Sequence, residues 1–186
     1  MSRFILITGG ARSGKSSLAE AKAKELGEKV VYIATAIGFD EGMKERIKKH
    51  RSQRPSTWTT IERYKSFASL ELEEGFLESD LVLLDCMTLM VSNLLLENDI
   101  DFDTCSMSQI DNMENRIFND IRELEEVIYK HKKQLIIVTN EVGMGLVPSY
   151  RLGNIFRDIA GRVNQYLADK ADEVYFTVSG IPLKIK

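Results

Sequence analysis

The chain has 186 residues, 44% of them hydrophobic and 28% charged, and a formal net charge of -3. That balance supplies no overall field for nucleic acid or an anionic membrane, and no apolar run approaches the roughly 20 residues of a membrane span. The two cysteines, Cys86 and Cys105, exclude a disulfide framework or a cysteine-based metal spacing and fit a reducing cytoplasm.

The length fits one domain over residues 1–186 with a sizeable core of its own. Arg3 to Thr8 is an apolar run of strand length, so the chain opens on a strand with no room for a cleavable signal. Gly9-Gly10-Ala11-Arg12-Ser13-Gly14-Lys15-Ser16 follows and fits G-x-x-x-x-G-K-[ST] at every fixed position. Ser17 to Leu26 is rich in helix formers and is stopped by Gly27. A strand before and a helix after are the context a phosphate-binding loop requires. Its glycines let successive N–H groups point at phosphate oxygens, and the helix N-terminus adds partial positive charge. Lys15 is expected at the outer phosphates and the Ser16 hydroxyl on Mg²⁺. The alternative is a glycine-rich turn that only links strand to helix.

Val30 to Thr35 reads as a second buried strand, and Thr35-Ala36-Ile37-Gly38 as the loop at its carboxyl end. That loop either lines a nucleotide or is a plain connection. Asp40 caps a predicted helix running to about Ser52. Met43, Ile47 and His50 share one of its faces among Lys44, Arg46, Lys48, Lys49, Arg51 and Arg54. This is a solvated basic face or a phosphate-facing surface bearing one histidine; composition alone does not choose. Arg54-Pro55 ends it.

Thr57 to Glu62 alternates as a short strand would. Arg63 to about Leu77 has a helical pattern with Phe67, Leu70, Phe76 and Leu77 as core candidates. Asp80 to Asp85 places an acid after four apolar residues, the pattern of a buried strand delivering a carboxylate to a magnesium water shell. Cys86 to Leu96 is an apolar helix suited to the core or a subunit interface. Glu97 to Ser108 is a polar surface loop.

From Gln109, Ile110, Met113, Ile117, Ile121, Leu124 and Ile128 recur at helical spacing up to His131-Lys132-Lys133, whose cations suit a helix C-terminus. His131 is assigned no chemistry. Gln134 to Thr139 is a buried strand running into Asn140-Glu141-Val142-Gly143-Met144-Gly145. The glycines there fit either close approach of a ligand or a tight structural turn. Ser149 caps a helix to about Lys170. Glu173 to Val178 and Leu183 to Lys186 form a strand and an antiparallel return.

Strands alternating with helices imply an α/β fold, a mainly parallel sheet with flanking helices and a C-terminal antiparallel strand. Three functional classes fit the loop: a small-molecule transferase, a GTPase switch, or a motor assembling on nucleic acid. The switch expects Asn-Lys-x-Asp, where this chain has Thr139-Asn140-Glu141-Val142. The motor expects a basic surface, whereas the chain is acidic. The transferase leads.

The segments GGARSGKSSLAE, YIATA, KKHRSQRP, TNEVGMGLVP, RDIAGRVNQ and VSGIPLKIK together resemble the bifunctional adenosylcobinamide kinase / adenosylcobinamide-phosphate guanylyltransferase family of cobalamin biosynthesis. The likeness runs in order over nearly the whole chain. The phosphate loop is common to many families, and NEVGMG and RDIAGRVNQ are far more specific. The resemblance implies a RecA-like P-loop NTPase fold, a homotrimer, and no nucleic-acid partner.

It also implies two reactions: phosphorylation of adenosylcobinamide by a nucleoside triphosphate such as ATP or GTP, then transfer of GMP from GTP through an enzyme histidine to adenosylcobinamide phosphate. The alternative is a chain that retains one of the two. By the same resemblance His50 is the guanylylated nucleophile. Gly9 to Ser16, Thr35, Ala36, Ile37, Ser52, Gln53, Arg54, Pro55, Glu62 and Asp85 would line the nucleotide, with Ser16 and Asp85 serving Mg²⁺. Two departures stand out. Asp85 occupies a position where the best-known members carry Glu, and Lys49 one where they carry a second histidine.

Overall fold

The computed structural model describes residues 3–36 and 54–186. The strands are β1 (Phe4–Gly9), β2 (Val30–Ala34), β3 (Thr59–Glu62), β4 (Leu81–Asp85), β5 (Gln134–Val138), β6 (Glu173–Val178) and β7 (Ile181–Lys184). The helices are α1 (Lys15–Leu26), α2 (Glu74–Glu78), α3 (Met87–Leu96), α4 (Met107–Lys130) and α5 (Arg151–Lys170). All seven strands join one sheet in the order β3-β2-β4-β5-β1-β6-β7, parallel except for β7. This is the doubly covered α/β arrangement of a P-loop NTPase, as expected.

Inner strands read as unbroken apolar runs because both faces of a parallel sheet are covered. Successive residues then alternate between two cores. Ile5, Ile7, Tyr32, Leu81, Leu83, Ile136 and Val138 face α1 through Ala19 and Ala23. Leu6, Val31, Ile33, Val82, Leu84, Leu135 and Ile137 face the other way, onto α3, α4 and α5. Met87, Met90, Val91 and Leu95 of α3 are each at most 1% exposed, so this helix is core.

The register brings the carboxyl ends of the parallel strands to one edge. Ala34 lies opposite both Glu62 and Asp85, Asp85 opposite Val138, Ile7 opposite Val138, and Gly9 opposite Thr177. Every strand-end residue of interest is thereby delivered to one side of the sheet.

Several boundaries differ from the expectations. Residues 63–77 are not one helix. Ser66 takes a left-handed backbone (φ 57), a 3-10 helix covers Phe67–Leu72, Glu73 is extended, and α2 follows. Phe67, Leu70 and Phe76 are buried as expected, but Leu77 is exposed. Helix α4 starts at Met107, capped by Ser106 in a box with Gln109: the Ser106 hydroxyl accepts from the Gln109 N–H, and the Gln109 side chain accepts from the Ser106 N–H. Tyr150, not Ser149, occupies the N-cap of α5.

The acidic 97–108 segment is anchored from below. Arg151 donates to the carbonyls of Phe102, Asp103 and Cys105 at 2.9, 2.9 and 2.7 Å, and Cys105 is buried. His131 Nε2 lies 3.1 Å from Glu71 and its ring meets Phe76 edge-on, a structural placement. No helix among the described residues is long and apolar enough to cross a membrane.

Candidate active site

The phosphate loop turns out of β1 at Gly9 (φ 151) and into α1 at Gly14 (φ 97). A Cβ on Gly9 would lie 2.4 Å from the Thr177 carbonyl oxygen, so the close crossing of β6 leaves room only for glycine. The loop is braced from two sides. Gly180 N–H donates to the Ser13 carbonyl at 2.9 Å, and Glu141 N–H donates to the Gly9 carbonyl at 3.0 Å. The Lys15 ammonium is folded into this frame, donating to the Gly10 carbonyl at 2.5 Å, with the residue 6% exposed. Ser16, on the first turn of α1, is half-buried, while Ala11 and Arg12 are exposed.

At the end of β4, Asp85 Oδ2 accepts from the Tyr32 hydroxyl at 2.8 Å. Among the described residues, no hydrogen bond reaches Oδ1. Burial above all, and then the charge of Asp85, push the Tyr32 phenol far above its ordinary value, so it remains a donor at any working pH. The Arg54 guanidinium lies over the Tyr32 ring, 3.2 Å from its centroid, and 3.9 Å from Glu20 of α1. A cation over an aromatic face and near a carboxylate offsets part of its desolvation.

The residue after the strand is locked as well. Thr35 N–H donates to the Asp85 carbonyl at 3.2 Å. The Thr35 hydroxyl donates to the Cys86 carbonyl at 2.7 Å and accepts from the Cys86 N–H at 2.8 Å. Asn93 Nδ2 donates to the Thr35 carbonyl at 2.7 Å. Thr35 is 1% exposed, so it shapes the sheet edge with its hydroxyl already spent on the backbone. Cys86 is buried, and burial first and the Asp85 charge second push its thiol up to about 11.

Between β1 and β4 runs β5, whose end is set by four buried or half-buried polar residues. Asn140 N–H donates to the Thr88 hydroxyl at 2.6 Å, and Thr88 and Thr139 hydroxyls are 3.3 Å apart. The Thr139 hydroxyl donates to Asn164 Oδ1 at 2.7 Å, and Asn164 Nδ2 donates to the Asn140 carbonyl at 3.0 Å. Since Thr139 spends its proton on Asn164, Thr88 is the donor to Thr139, and every member of the ring is satisfied. Beside this end and the phosphate loop opens a cleft of about 770 Å³. Gly10, Arg12 and Glu141 contribute its polar side, and Met144, Tyr150 and Phe156 its apolar wall.

Of the residues expected at the site, Gly9 to Ser16, Thr35, Ala36, Arg54, Pro55, Glu62 and Asp85 are described. Ile37, His50, Ser52 and Gln53 lie outside the described residues, as does the helix predicted over 40–52. Glu62 is exposed at the end of the edge strand β3, separated from β1 by β2, β4 and β5, or about 19 Å at the usual strand spacing. Arg54 meets Tyr32 and Glu20 rather than the phosphate loop.

Sequence reasoning missed Tyr32 and the ring through Thr88 and Asn164. No local pattern marks them, and for Tyr32 only the register of the folded sheet does. With Ala34 opposite Asp85, Tyr32 is a diagonal neighbour of that acid on the same face. Among the described residues, no group of three or more His, Cys, Asp or Glu is placed to cage a metal. A serine hydroxyl and one carboxylate, completed by phosphates and waters, fit Mg²⁺, which keeps much of its water shell.

A family model described as cobinamide kinase / cobinamide phosphate guanyltransferase matches residues 5–185. The bifunctional adenosylcobalamin biosynthesis protein CobU of Escherichia coli (strain K12) is 46% identical over 183 residues, covering 98% of this chain and 99% of that protein. The protein of the same name from Salmonella typhimurium (strain LT2) is 45% identical over 188 residues, with coverages of 98% and 99%. The bifunctional adenosylcobalamin biosynthesis protein CobP of Pseudomonas aeruginosa is 39% identical over 184 residues, covering 97% and 96%. With its phosphate loop and strand-end aspartate on one sheet edge, the chain belongs to the cobinamide kinase / cobinamide phosphate guanyltransferase family.

Proposed function

We propose that the chain carries both activities in its family's description, phosphorylating adenosylcobinamide and then joining GMP to the product. The observation that carries this reading is the braced phosphate loop with Lys15 folded into its frame, in a chain matched by the family model from residue 5 to residue 185.

In the first reaction the acceptor hydroxyl oxygen bonds to the γ-phosphorus and gives its proton to solvent, the bond from that phosphorus to the β–γ bridging oxygen breaks, and a nucleoside diphosphate leaves. Loop N–H groups and Lys15 stabilise the charge that spreads over the transferred group. Ser16 and Asp85 would hold Mg²⁺, which would neutralise phosphate charge. In the second reaction neutral His50 attacks the α-phosphorus of GTP, an N–P bond forms, and pyrophosphate leaves. A phosphate oxygen of adenosylcobinamide phosphate then displaces the imidazole, giving adenosylcobinamide-GDP. Two displacements replace one difficult transfer.

The cleft beside the loop, with its apolar wall, suits a large acceptor that presents a single hydroxyl. We extend the proposal to a homotrimer working in the cytoplasm. Leu146 and Val147, and Ile181, Leu183 and Ile185, expose apolar surface that subunit contacts would cover.

Intact mass after incubation with GTP and Mg²⁺ tests the reading. Wild type is expected to carry an acid-labile GMP adduct that is absent from His50→Ala and from Lys15→Ala. An adduct persisting in His50→Ala moves the nucleophile elsewhere. No adduct on wild type, together with phosphorylation of cobinamide, leaves a kinase alone.

A further inference from the structure

Tyr32 is an unusual residue for its place. It stands inside a parallel sheet, 3% exposed, on a strand whose other residues are Val30, Val31, Ile33 and Ala34. A phenylalanine would fill the same space without a hydroxyl to satisfy. The hydroxyl has one destination among the described residues, Oδ2 of Asp85 at 2.8 Å. The ring that carries it is held on one side by the α1-facing core and on the other by the Arg54 guanidinium at 3.2 Å. The backbone of Asp85 is separately fixed by the β2–β4 ladder and by Thr35 N–H. Ring, strand and carboxylate therefore form one rigid unit, and the hydrogen bond removes the rotation that an aspartate at a strand end would otherwise keep.

We propose that Tyr32 is the positioning residue of Asp85: its hydroxyl occupies Oδ2 and leaves Oδ1 as the oxygen offered to the divalent cation of the nucleotide complex. This rests on the assignment of Asp85 to the cation. The logic is that of outer-shell partners at metal sites generally. A ligand oxygen held in place binds without first losing its freedom, and deleting the partner weakens the metal roughly 10–100-fold. Because phosphates and waters would supply most of the cation's ligands, the low end of that range applies.

The test is Mn²⁺ binding by electron paramagnetic resonance. The protein is saturated with a GTP analogue bridged by methylene between the α and β phosphates, which cannot transfer GMP. Wild type, Tyr32→Phe, Asp85→Asn and the double variant are compared, with analogue affinity in EDTA and thermal midpoint measured alongside. The expected result is about tenfold weaker Mn²⁺ binding in Tyr32→Phe, at least as large a loss in Asp85→Asn, and no further loss in the double variant. Affinity in EDTA stays at the wild-type value.

If Asp85→Asn loses the cation and Tyr32→Phe does not, Tyr32 has no positioning role and the cation assignment stands. If neither loses it, the cation assignment itself falls. Additive losses, or a parallel drop in EDTA affinity, make Tyr32 a packing residue only and overturn the proposal. The Asp85→Asn arm reads out even if Tyr32→Phe folds poorly. In that event Tyr32→Leu, which is smaller and has no donor to offer Oδ2, repeats the comparison, with the same outcomes deciding.

Discussion

Thr139 Oγ1 donates to Asn164 Oδ1 at 2.7 Å, tying the end of β5 to the middle of α5. That bond closes the ring through Thr88 and Asn140. Thr139→Val keeps the shape but leaves the Thr88 proton and the Asn164 oxygen without their partner in a buried place. Each stranded group costs about 1–3 kcal/mol. Thr139→Val is expected to destabilise by roughly 2–4 kcal/mol, and Thr139→Ser, which retains the hydroxyl, by about 1 kcal/mol. Urea titration of the three proteins measures it. Equal losses in Val and Ser would mean the ring contributes nothing beyond methyl packing.

Gly14 has φ 97, and an added Cβ would lie 3.2 Å from the Gly180 Cα. Gly14→Ala therefore strains the backbone at the entry to α1 and pushes the loop off its brace, at a cost of about 1–3 kcal/mol. Nucleotide affinity is expected to fall at least tenfold, together with the melting temperature. Calorimetric titration of a GTP analogue checks the first and a thermal scan the second. Gly10, whose Cβ would meet nothing within 4 Å, is the control: Gly10→Ala is expected to fold at wild-type stability.

Glu125 gives the pH dependence. Its Oε2 accepts from the Tyr166 hydroxyl at 2.7 Å, while Oε1 is buried with no partner among the described residues. Burial raises the carboxyl above its ordinary value, outweighing the Tyr166 hydrogen bond that lowers it. The folded chain then binds this proton more tightly than the unfolded chain. Its contribution to stability is fully present below the unfolded value and is lost as pH rises through the folded one. Tyr166, pushed up to about 12, stays protonated throughout. The stability of Glu125→Gln relative to wild type is expected to climb as pH rises from the ordinary carboxylate range through the raised folded value, and to level off above it. Denaturant midpoints at four pH values test it, and a flat difference would remove Glu125 as a source of pH dependence.

The legible parts of the sequence were those where chemistry is local. The phosphate loop carries its own strand, turn and helix. β1, β2, β4 and β5 announce themselves because burial on both faces demands unbroken apolar runs. The 63–77 stretch misled because Phe67, Leu70 and Phe76 mimic a helical stripe, while Ser66 and Glu73 hold backbone conformations no helix contains. The start of α4 was readable in Ser106-x-x-Gln109, a capping box that opens four residues ahead of Ile110, where the apolar period begins. The bond from Tyr32 to Asp85 was not, since 53 residues separate the partners. Only the pairing of β2 with β4 brings them together. The resemblance supplied roles for His50 and Arg54 that no local pattern carries.

The Gly180 N–H on the Ser13 carbonyl has a practical meaning. The turn between β6 and β7 is the back wall of a loop that begins 170 positions earlier in the chain. A fusion partner or affinity tag seated against that hairpin acts on the nucleotide pocket rather than on an inert tail. An enzyme freed of any such tag is the proper reference for any measured nucleotide affinity.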